Sequence, residues 1–69
     1  MEKDWVSVDS YSFMALAEIK KALLISEGIQ AIVINNQSSP HLIGDVDLYV
    51  YRDDVIKAKR ILDENRENE

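Results

Sequence analysis

The run Ile29 to Ile34 constrains this chain more than any other stretch: it is apolar and β-branched at nearly every position and follows directly on Gly28. It is too short for a helix, and β-branched side chains fit a pleated surface better, so it predicts a strand over about 29–35, ended by Asn35 and Asn36. Before it, Phe13, Leu16, Ile19, Leu23 and Leu24 recur at helical spacing and predict a helix over about 12–27. Ser10 or Ser12 is placed to give that helix its N-cap oxygen, and Gly28 to take the left-handed conformation just past its end.

The remaining segments alternate. Trp5 to Val8 predicts a strand over about 4–8, with Val6 and Val8 on one face and Trp5 and Ser7 on the other. Residues 36–45 are rich in Asn, Ser, Pro and Gly and read as a loop, with Leu42 and Ile43 tying it to the body. A third strand over about 46–51 sets Val46, Leu48 and Val50 against Asp47, Tyr49 and Tyr51. Asp53 and Asp54 suit the start of a helix over about 53–65, by capping and by the macrodipole, and Val55, Ala58, Ile61 and Leu62 form its apolar stripe. Asp53 with Lys57, Lys59 with Asp63 and Arg60 with Glu64 stand at ion-pair spacing.

The order β-α-β-β-α makes one domain over 1–69. A right-handed crossover through the first helix makes strands one and two parallel, and compact closure puts strand three between or beside them, with both helices on one face. The expected fold is therefore α+β, a two-layer sandwich of truncated ferredoxin-like build with a three-stranded mixed sheet. A full ferredoxin-like unit carries one more strand beside strand one, so an unpaired edge is expected there.

Composition narrows the function classes. At 7.9 kDa, area scaling gives roughly 4,400 Å² folded against roughly 11,500 Å² unfolded, so only about 60% of the surface can be hidden and the core is thin. A hydrophobic share of 46% with 30% charged residues is that of a folded domain, not a disordered one. Cysteine is absent, which excludes disulfides and thiolate metal sites. Thirteen acidic against eight basic residues give a net charge of −5, a sign that opposes nucleic acid and anionic membrane surfaces. No apolar run approaches the roughly 20 residues of a membrane span, and Met1-Glu2-Lys3-Asp4 lacks the order of a signal peptide, so a cytoplasmic protein is expected. Asn36-Gln37-Ser38 fits a glycosylation sequon, but without secretion it is a chance match.

The runs Ala17-Glu18-Ile19, Leu23-Leu24, Ser26-Glu27-Gly28-Ile29-Gln30-Ala31 and Ile32-Val33-Ile34-Asn35 resemble the prokaryotic signal transducing protein family, a small bacterial domain of unknown function. Val46-Asp47-Leu48-Tyr49-Val50, with Ala58 and Ile61-Leu62, extends the resemblance over nearly the whole chain, and Glu2-Lys3-Asp4-Trp5-Val6 looks most like Bacteroidetes-type members. The resemblance implies the fold and a role in signalling, and brings no catalytic residues. The chain departs from the family pattern at Lys20, where an apolar residue is usual, and at Tyr51, where proline is frequent.

Few residues invite chemistry. His41, Asp45 and Asp47 would make an acid–base pair or metal site, but one imidazole and two carboxylates are few ligands, and they read as solvated loop and sheet residues. Ser38, Ser39 and His41 lack the glycines of a nucleophile elbow. No enzyme activity, cofactor or metal is expected. Trp5, Ile32, Ile34, Tyr49 and Tyr51 fall together on the sheet face away from the helices, and so much apolar surface marks an interface. An aromatic sheet face is also found in RNA-recognition domains, but Asp47 and the net charge oppose that reading.

The expectation is a non-enzymatic binding or regulatory module, acting through a protein partner or homodimerisation on this face or on strand one's free edge. The alternative is a small-metabolite sensor that uses the 36–45 loop and the sheet edge, with Asn35, Asn36, His41 and Asp45 as candidate contacts. Lys20, near the middle of the first helix's apolar stripe, reads as a lysine whose methylenes line the core edge while its ammonium reaches water. Lys20→Leu is accordingly expected to raise the midpoint of urea unfolding and to change nothing else.

Overall fold

Val46, Leu48 and Val50 are fully buried, and a buried strand needs partners for its backbone groups on both edges. The structure, a computed structural model describing residues 4–36 and 46–65, supplies them. Its elements run β1 (Trp5–Tyr11), α1 (Met14–Ser26), β2 (Ala31–Asn35), β3 (Val46–Tyr51), a 3₁₀ turn (Arg52–Asp54) and α2 (Val55–Glu64). This is the expected β-α-β-β-α order of an α+β fold. The sheet order is β1-β3-β2, so the last strand in sequence is the central one.

Both pairings with β3 are antiparallel, which corrects the expected mixed sheet. β1 and β2 do run parallel to each other, as the crossover requires, but β3 stands between them and no parallel ladder forms. Leu24 from α1 and Ala58, Ile61 and Leu62 from α2 share one core cluster with Leu48 and Val50, so both helices cover the same face.

β1 runs three residues beyond the expected strand. Ser7 pairs with Tyr49 and Asp9 with Leu48, so Val8 and Asp9 together oppose one residue of β3, a β-bulge. The bulge shifts the alternation and brings Tyr11 opposite Val46 and against the core. The polar pair Asp9 and Ser10 disguises this continuation in the sequence.

The start of α1 differs from expectation. Phe13 is its N-cap, without a side-chain cap bond, because Ser10 lies within β1 and Ser12 precedes the cap position. The buried side of α1 is Ala17, Lys20 and Leu24, whereas Phe13 and Ile19, expected on the core stripe, are 70% and 63% exposed. The helix is apolar around most of its circumference, from Met14 and Ala15 to Ile19, Ala22 and Ile25, so spacing alone does not single out the packed side. Lys20 keeps 6% exposure and is more enclosed than a lysine resting on the core edge.

The end of α1 matches the reading. Gly28 has φ +85°, its N–H donates to the Ile25 carbonyl at 3.0 Å, and the Ile29 N–H donates to that of Leu24 at 2.9 Å. This is a Schellman closure, and its accompanying apolar contact is made by Leu24 and Ile29, both in the core cluster. Ile29, expected within the strand, thus belongs to the helix cap, and the ladder begins at Ala31.

α2 presents the expected stripe: Ala58, Ile61 and Leu62 are buried and Val55 packs beside them. Asp53 and Asp54 form the 3₁₀ turn that leads into it and make no side-chain cap bond. Among the described residues, the four-residue ion pairs read from spacing on α2 are not closed. Lys21–Glu18 at 3.8 Å and Arg52–Asp4 at 3.6 Å are.

An added Cβ at Gly28 meets nothing within 4 Å, so the cost of a side chain there is conformational. Gly28→Ala is expected to lower stability by about 1 kcal/mol and Gly28→Asn by less, since asparagine tolerates the left-handed region. Urea unfolding of the two variants checks this.

Candidate interaction surface

The register places every residue expected on the outer face where the sequence put it. Trp5 pairs with Tyr51 and Ile32 with Tyr49, while Ile34 lies opposite Asp47, and the alternation of β3 turns Asp47, Tyr49 and Tyr51 away from the helices. Trp5, Ile32, Ile34 and Tyr49 are half-buried, and Tyr51 is exposed. The Trp5 and Tyr51 rings meet edge to face, with centroids 5.1 Å apart and planes at 89°. Such a pair adds about 0.5–1.5 kcal/mol beyond its area burial and holds both rings in place. Next to it the Arg52 N–H donates to the Asp4 carbonyl at 2.8 Å, closing this end of the β1–β3 ladder.

The other end of the face is polar. Ser10 Oγ donates to Asp47 Oδ1 at 2.9 Å and Asn36 Nδ2 donates to Asp47 Oδ2 at 2.7 Å. One carboxylate on the central strand thus joins β1 to the residue that follows β2. Of the candidate ligand-loop residues, Asn35 ends β2 and Asn36 holds Asp47, while His41 and Asp45 lie outside the described residues, as do Ser38, Ser39, Leu42 and Ile43. Asp47 therefore serves as a tie between strands, a role its place in an Asp-x-Asp motif does not suggest. The bulge hid it, because only the shifted register sets Ser10 opposite Asp47.

Two concavities flank the sheet. A mostly apolar one of about 500 Å³ is lined by Trp5, Ile25, Gly28, Gln30, Ala31 and Ile32, among others, where α1 ends and β2 begins. That is the opposite end of β2 from the 36–45 connection. A more polar one of about 390 Å³ lies between the β1 bulge, at Val8 and Asp9, and Lys59, Arg60 and Asp63 of α2. Sequence spacing showed neither, since each depends on how a helix end or a bulge meets the sheet.

Among the described residues no group of three or more His, Asp or Glu side chains is placed to hold a metal ion, and no helix is long and apolar enough to cross a membrane. Comparison with known protein families, curated proteins and solved structures found no match.

With Asp47→Ala, Ser10 and Asn36 lose their shared acceptor, and stability is expected to fall by about 1–2 kcal/mol. Asp47→Asn, which keeps one acceptor oxygen, is expected to cost less. Urea unfolding gives the magnitude, and faster amide exchange at Ile34 and Asn35 would locate the loss at β2.

Proposed function

We propose that this chain is a small non-enzymatic binding and regulatory module of truncated ferredoxin-like build, acting in the cytoplasm in signal transduction by docking a protein on its outer sheet face. The observation that carries this reading is the cluster of Trp5, Tyr49, Tyr51, Ile32 and Ile34 on the side of the sheet opposite both helices. Aromatic and branched apolar side chains, pre-positioned by a ring pair and rimmed by Ser10 and Asp47, have the make-up of an interface core with a polar rim. The resemblance to the signal transducing family supports the regulatory part. The ferredoxin-like build is supported by the β1-β3-β2 order with β1 and β2 parallel across it.

A second reading, a small-metabolite sensor, is supported by the apolar concavity beside Ile25 and Ala31. That concavity lies at the start of β2, at the other end of the strand from the 36–45 connection. A ligand there would be largely apolar, with the Gln30 amide and the Trp5 indole as the polar side-chain groups of the lining.

Amide NMR spectra of the labelled chain, recorded with a host protein fraction and separately with a protein-free host extract, separate the readings. Shifts at Trp5, Tyr49 and Tyr51 with the protein fraction, abolished by Trp5→Ser with Tyr49→Ser in a still-folded chain, are expected. Shifts confined to Gly28–Ile32 with the small-molecule extract would favour the sensor. Binding that survives the double substitution would rule out the outer face.

A further inference from the structure

We draw no further inference here: the strongest candidate, the apolar concavity where α1 ends and β2 begins, shares Trp5 and Ile32 with the outer sheet face and so belongs to the surface already described, and nothing in the structure shows what covers it.

Discussion

Two-sided pairing of β3 is the interaction on which the rest of this structure depends. A strand whose Val46, Leu48 and Val50 are removed from water cannot leave its N–H and C=O groups unpaired, since each orphaned group costs about 1–3 kcal/mol. β1 and β2 meet that need from either side. The helices then have one place to go, over the buried residues of β3, where Leu24, Ala58, Ile61 and Leu62 converge. The opposite face of β3 belongs to Asp47, Tyr49 and Tyr51, and the character of that face follows from the same alternation.

A three-stranded, two-helix layer has less interior than this sequence has apolar side chains. Phe13, Ile19, Ile25 and Ile56 remain mostly outside on the helices, and the outer sheet face holds a further group that is only half-buried. The exposed apolar residues do not share one origin. Ile56 and Phe13 lie outside the outer-face group, and exposed apolar residues of that kind are common. Those on the outer face are contiguous and locked by the Trp5–Tyr51 contact, and Ile25 borders a concavity. Contiguity and rigidity are what the proposed docking surface rests on, because little further ordering would be lost if it were covered.

How much could be read from the residues alone depends on how many faces each segment buries. β3 and α2 each have one polar and one apolar side, and their stripes at Val46, Leu48 and Val50 and at Ala58, Ile61 and Leu62 were legible. Gly28 was legible because one backbone conformation suits its position. α1 was legible as a helix but not in its orientation: with apolar residues on most sides, only packing against β2, β3 and α2 selects Ala17, Lys20 and Leu24. β1 was cut short in the reading because a bulge changes the phase of alternation, and the residues beyond Val8 then look like the end of a strand. The outer face survived that error, since Trp5 lies before the bulge and the other members sit on β2 and β3. The Asp47 tie did not survive it, since Ser10 lies beyond.

The same bulge bears on how the sheet avoids uncontrolled pairing at its edges. Strand one was the edge expected to be available. In this chain that edge is interrupted at Val8 and Asp9, and Lys59 and Arg60 of α2 border the same place. An incoming strand would meet a broken ladder and charged side chains, and could gain few regular hydrogen bonds. The regular edge is at β2, held in register by Asn36 on Asp47 and capped at its start by the Schellman turn. Among the described residues the two edges thus differ: β1 is interrupted by a bulge, whereas β2 keeps unbroken register with β3 over five uncharged residues.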